Sequence, residues 1–136
     1  MNIPLFYKEL NIPSAVEGLD DCLLLVKEIG ENFNLDLDKL LSLQTVIVES
    51  VENAIIHGNN GIRELKVRFL IQVYTESIFI EVEDQGKGFD IDSVPSPILP
   101  ENLRKECGRG IFFIRSLSSS CFTRGKGNIL YIKIDR

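Results

Sequence analysis

Glu49, Asn53 and His57 stand at i, i+4 and i+8 within "VIVESVENAIIHGNNG", residues 46 to 61. At about 100° per residue that spacing stacks them along one helical stripe, where they could reach a single ligand together. An asparagine inside a helix is a poor helix former whose amide competes for backbone hydrogen bonds, so its presence asks for a partner. Its carbonyl oxygen suits a hard cation such as magnesium, which takes one or two protein oxygens and fills its other positions with phosphates and water. Glu49, one turn earlier, could accept a proton from a hydroxyl or water. The plainer alternative is a solvated polar face ending in a histidine near the C-terminal dipole.

Two further stretches carry chemistry of a matching kind. In "IFIEVEDQGKGFD" the two-residue period of a strand puts Asp84 on the face of Ile78, Ile80 and Val82. A carboxylate pointing where core residues point must be hydrogen-bonded, for instance by the exocyclic amine of a base or by backbone amides. Gly86 and Gly88 behind it allow a flat ligand to approach the backbone. An ordinary turn after a strand would use the same residues. In "CGRGIFFI", Gly108 and Gly110 open a helix whose free N–H groups and dipole make an anion site, and Arg109 adds charge. Simple capping is the alternative there. Each stretch is weak by itself, but a cation-binding helix, an acceptor for a base and a phosphate nest in one chain together describe a site for a nucleoside triphosphate.

The elements that must position these residues are legible from periodicity. Residues 2 to 12 read as an edge strand. Ser14 and Glu17 have the spacing of a capping box, and a helix follows with a stripe of Val16, Leu19, Leu23, Val26 and Phe33. A second helix is expected from about Asp38 to His57. "ELKVRFLIQVYTESIFIEVED" alternates apolar and polar residues around a turn at Thr75 to Ser77, an antiparallel hairpin half buried on a helical layer. About twenty aperiodic residues with Pro95, Pro97 and Pro100 follow, too long for a simple connection and suited to a lid. "GRGIFFIRSLSSS" then reads as a short helix, and "CFTRGKGNILYIKID" as a hairpin turning at Gly125 to Gly127. The expected architecture is α+β, a two-layer α/β sandwich with helices on one face of a mixed, mostly antiparallel sheet, in a single domain over 1–136.

Composition narrows the function further. With 44% hydrophobic residues in 136, the chain can bury a core without disulfide or metal staples. A formal charge of −5 argues against a general nucleic-acid binder, which needs a basic stripe to displace counterions. No apolar run approaches the roughly 20 residues that span a bilayer, and "MNIPLFYKEL" lacks the regions of a signal peptide, so no membrane contact and a cytoplasmic location are expected. Cys22, Cys107 and Cys121 are odd in number and widely spaced, which suggests neither a disulfide framework nor a zinc site.

The three stretches also carry a resemblance. "ESVENAIIHGN", "EDQGKGFD" and "GRGIFFIRSL" resemble the asparagine box and the two glycine boxes of the histidine-kinase-like (GHKL) ATPase superfamily shared by DNA gyrase, MutL and sensor histidine kinases. "PENLRKECGRG" is similar to the small anti-sigma factor serine kinases within it, and the likeness spans about residues 10 to 135. The resemblance implies a Bergerat-type ATP-binding fold, with ATP and Mg2+ as cofactors. It gives Asn53 the magnesium, Glu49 the role of general base and Asp84 the adenine amino group. Gly86, Gly88, Gly108 and Gly110 would line the nucleotide, together with His57, Phe89, Arg109, Ile111 and Asn128. It further implies transfer of the γ-phosphoryl group to a serine of an anti-anti-sigma (STAS-type) protein, and sequestration of a sigma factor. The chain departs from the family at "GKGNIL", where Asn128 stands near a customary Gly-Thr, which leaves that contact open. A non-catalytic module gated by ATP or ADP is the alternative function. A homodimer using "NIPLFYKELNIP", and a lid over residues 89 to 107 that reads the γ-phosphate and presents Glu101, Arg104 and Lys105 to a partner, complete the expectations.

Overall fold

The computed structural model describes residues 3–89, 91 and 109–136, with only the backbone of Arg109. Five strands form one sheet: β1 (Phe6–Pro13), β2 (Lys66–Val73), β3 (Ser77–Glu83), β4 (Ser120–Arg124) and β5 (Ile129–Asp135). The helices are α1 (Val16–Asn32), α2 (Leu37–Glu52) and α3 (Arg109–Leu117). Strand order is β1-β2-β3-β5-β4, and every described pairing is antiparallel. Among the described residues the sheet is therefore wholly antiparallel, where a mixed, mostly antiparallel one was expected, because hairpins join β2 to β3 and β4 to β5 while β3 and β5 also run in opposite directions. Both expected hairpins form at their expected turns, and β1 is an edge strand, although it begins at Phe6 rather than at residue 2.

Alternation builds the core. Ile71, Ile80 and Ile132 are register partners across the three central strands, as are Val73, Ile78 and Ile134, and all six are buried. Ile29, Leu43, Val46, Ile47, Val51 and Ile114 of the three helices join the same buried cluster, giving the two layers of an α+β sandwich. Among the described residues no helix is long and apolar enough to cross a membrane.

The first helix corrects two expectations. Its start is capped by Ala15 without a side-chain bond, so the Ser14 capping box does not form. Ser14 is buried and its hydroxyl donates instead to the Leu65 carbonyl at 2.7 Å. Glu17 pairs with Arg63 at the surface. The buried stripe is Gly18, Cys22, Leu25, Val26 and Ile29, whereas Val16 is 73% exposed. Gly18 causes the rotation: a methyl there would overlap the Pro13 carbonyl, so the helix seats its glycine against the end of β1 and turns Val16 outward.

The second helix starts with Asp36, whose side chain accepts the Lys39 N–H at 2.7 Å, and its α-helical part stops at Glu52. Asn53–Gly58 continues as a π-helix, closed by the Asn59 N–H on the Ala54 carbonyl at 2.9 Å. A π-helical turn is rare and concentrates at functional sites. The stretch that opens this turn is the one with Asn53 at its head and Gly58 at its end.

Candidate nucleotide site

α2 and its π-helical extension lie over the ends of β3 and β5, enclosing a cavity of about 950 Å³. Glu49, Asn53 and His57 all line it, so the stripe read from the sequence does face one ligand site, with His57 exposed at the rim. Asp84, Gly86, Gly88 and Phe89 come from the loop after β3, Gly110 and Ile111 from the start of α3, and Asn128 from the turn before β5. The remaining two expected residues, Gly108 and the side chain of Arg109, lie outside the described residues, as does the lid expected over 89 to 107 apart from Phe89 and Ile91.

Each carboxylate faces a glycine. A methyl on Gly110 would stand 2.7 Å from Glu49 Oε2, and one on Gly58 would overlap the Asp84 carboxylate. The glycines thus leave space for two acids that a side chain would displace. Burial raises the Glu49 pKa above the ordinary carboxylate value, and the neighbouring Glu52 adds to the rise. Burial also raises Asp84, opposed by the Gly86 N–H and by Lys126 and reinforced by Glu83. A carboxylate that holds its proton more tightly is a stronger base, the direction that suits proton transfer.

The two ends of the cavity are built differently. At Asp84 the main chain is held throughout: its N–H donates to the Asn128 carbonyl at 3.0 Å, its carbonyl accepts from Asn128 Nδ2 at 2.9 Å, and its Oδ1 accepts the Gly86 N–H at 2.7 Å. Asn128 therefore spends its side-chain amide on the backbone of Asp84. At the place of the expected Gly-Thr contact, one side-chain N–H of Asn128 braces Asp84. Gly88, at φ +82°, brings the loop against the Lys126 carbonyl, where a methyl would overlap. Phe89 follows and donates its N–H to the Gly127 carbonyl at 3.2 Å.

Glu49 and Asn53, by contrast, make no side-chain hydrogen bond among the described residues. Both line the cavity. The described residues also contain no cluster of three or more His, Cys, Asp or Glu that could hold a metal ion. That donor set fits a cation that arrives with a phosphate ligand and needs one protein oxygen, and Asn53 offers one. Val82, Leu130, Ile111 and Ala54 give the cavity an apolar wall, suited to the flat face of a base.

Two features of the site escaped sequence reading. Gly58 was visible only as a helix breaker, since nothing local shows that Asp84, 26 residues on, would lie against it. Asn59, in the same breaker run, is completely buried.

The sequence model of the histidine kinase-like ATPase domain matches residues 12–134 of the chain. Among curated proteins, the chain is 25% identical over 118 residues to the serine-protein kinase RsbW of Staphylococcus epidermidis, covering 82% of this chain and 74% of that protein. It is 26% identical over 118 residues to the serine-protein kinase RsbW of Staphylococcus aureus strain JH9, covering 80% and 73%.

Proposed function

The chain belongs to the histidine kinase-like ATPase domain family, and on that premise we propose that it is an ATP-dependent, magnesium-requiring protein-serine kinase that also acts as an anti-sigma factor. Its substrate would be a serine of a small anti-anti-sigma protein of STAS type, and the protein it sequesters a sigma factor, in the cytoplasm. The likeness to serine-protein kinases over most of the chain supports this reading. The observation that carries it is Glu49: a partly desolvated carboxylate without a protein partner among the described residues, at the Gly110 end of the cavity. A module that only binds nucleotide needs no such group.

In this reading the base enters under Gly58 and its exocyclic amine donates to the free oxygen of Asp84. Gly86, Gly88 and Phe89 would border the base and sugar, and the N-terminal end of α3 around Gly110 and Ile111 would meet the phosphates; the expected roles of Gly108 and the Arg109 side chain there rest on the family resemblance alone. Asn53 would supply the protein oxygen to magnesium, and the ion would contribute charge neutralisation at the phosphates. Glu49 takes the proton of the incoming serine hydroxyl as its oxygen bonds to the γ-phosphorus and the bond to the β,γ-bridging oxygen breaks, leaving ADP. Positioning by the cavity supplies most of the catalysis, as is usual for phosphoryl transfer.

The test is the mass of a candidate anti-anti-sigma partner after incubation with the protein, ATP and Mg2+. A gain of one phosphoryl group that depends on Glu49 is expected. An unmodified partner that nevertheless binds in an ATP-dependent way would leave a nucleotide-gated binding module instead.

A further inference from the structure

Asn59 lies behind the cavity wall and touches no part of the space a ligand would fill, yet it is 0% exposed and every polar atom of its side chain is used. Its Nδ2 donates to Ser14 Oγ at 2.9 Å and to the Lys66 carbonyl at 3.0 Å, and its Oδ1 accepts the Gln85 N–H at 2.8 Å. One amide thus joins the start of α1, the start of β2 and the turn between Asp84 and Gly86. The Gln85 side chain returns a bond to the same strand, accepting the Lys66 N–H at 2.8 Å.

The consequence falls on Asp84. Asn128 holds its main chain on one side, Asn59 holds the next N–H on the other, and the Gly86 N–H fixes one carboxylate oxygen. Only the second oxygen is left for a ligand. A fixed acceptor welcomes the amine donor at the 6-position of adenine and meets the carbonyl that guanine carries there, lone pair to lone pair. A carboxylate on a loose turn could swing aside and tolerate either base. Discrimination therefore needs the turn held still, as well as an acid.

We propose that Asn59 is a positioning residue for base selection, fixing through the Gln85 N–H the plane in which Asp84 meets the purine. The proposal rests on the reading of Asp84 as the acceptor of the adenine amine. It separates from a merely structural role because loss of packing weakens both nucleotides together, whereas loss of positioning changes their ratio.

The experiment measures Kd for ATP and GTP by calorimetry on the full chain and its variants, with melting temperature recorded alongside. Asn59→Leu, close in shape but without polar atoms, is expected to reduce the ATP over GTP preference about tenfold. Asn59→Asp keeps an oxygen for the Gln85 N–H and should retain the preference within about twofold despite a lower melting temperature. Ser14→Ala cuts the same network on its far side and should likewise destabilise without changing the ratio. A full preference in folded Asn59→Leu would overturn the proposal. Should that variant not fold, amide hydrogen exchange on the wild-type protein decides: the Gln85 N–H must be protected before any nucleotide is added, and rapid exchange there would overturn the proposal equally. A wild-type protein that binds ATP without preference over GTP would remove the role of Asp84 and this proposal with it.

Discussion

The Asp84 end of the cavity and the Glu49 end use the same type of residue in opposite ways. Around Asp84 the protein satisfies its own polar groups: one carboxylate oxygen, the Gln85 and Gly86 amides and the Asp84 carbonyl all have protein partners, two of them supplied by Asn59 and Asn128. Around Glu49 and Asn53 no described side chain provides a hydrogen bond. Hydrogen bonds made in advance remove the entropy cost of ordering at the moment of binding, which favours selectivity. Groups left open are available to charge that arrives with the ligand and develops in the transition state. In the proposed reading, the end that would take the base is thus finished before the ligand comes, and the end that would take the phosphates is completed by it.

The sharpest break in that comparison is at Glu49. Glu49→Gln is expected to lower phosphoryl transfer by roughly 10²-fold or more while leaving ATP affinity nearly intact, since no described residue depends on its charge. Single-turnover transfer beside calorimetric binding checks it, and a wild-type transfer rate would place the base elsewhere. The mirror substitution is Asp84→Asn, which puts an amine donor opposite the adenine amine. It should weaken ATP binding by on the order of 1 to 3 kcal/mol and abolish preference over GTP, with less effect on transfer at saturating nucleotide.

The glycines give a third contrast. A methyl on Gly58 overlaps a carboxylate held by a hydrogen bond from the Gly86 N–H, whereas one on Gly110 meets the far end of a flexible glutamate at 2.7 Å. Gly58→Ala is therefore expected to cost about tenfold or more in ATP affinity, and Gly110→Ala to slow transfer by moving Glu49 while changing affinity less. Equal effects of the two on binding would show that the ends are not built differently.

The smallest expected effect concerns pH. Glu49 has a folded pKa above its ordinary value of 4.5, so between those two values the folded state keeps a proton that the unfolded chain has released. Stability falls as pH rises through that window, and the ionised carboxylate is a burden on the nucleotide-free protein at neutral pH. Glu49→Gln should raise the melting temperature at pH 7 by on the order of 1 °C, and the gain should vanish below pH 4, where both states are protonated. A gain that is independent of pH would point to packing as its source.

Legibility followed the range of the interactions. Both hairpins, the three helices and the stretches that carry Glu49, Asn53, Asp84 and Gly110 follow from periods of two and 3.6 and from short boxes, whereas Asn128 was singled out only by the family resemblance. The direction of Asp84 was readable because Val82 and Ile80, two and four residues earlier, are buried. What failed was the local reading of groups with distant competitors. Ser14 has the spacing of a helix cap, but its hydroxyl found the Leu65 carbonyl 51 residues away. The α1 stripe was set by a glycine seated on β1 and not by the most apolar residues available.

By itself, then, the sequence determined which elements form, which of their faces are apolar and which acids and amides those elements carry, because each depends on neighbours within a turn of helix or a strand repeat. Only the tertiary structure decided how those groups are held. The π-helical turn, the acid under Gly58 and the three bonds of Asn59 join residues 5 to 45 positions apart. The contacts of Asn59 and of Gly58 join separate elements and exist only once the layers have packed, so no local period records them, and the i to i+5 bond of the π-helical turn departs from the 3.6-residue period.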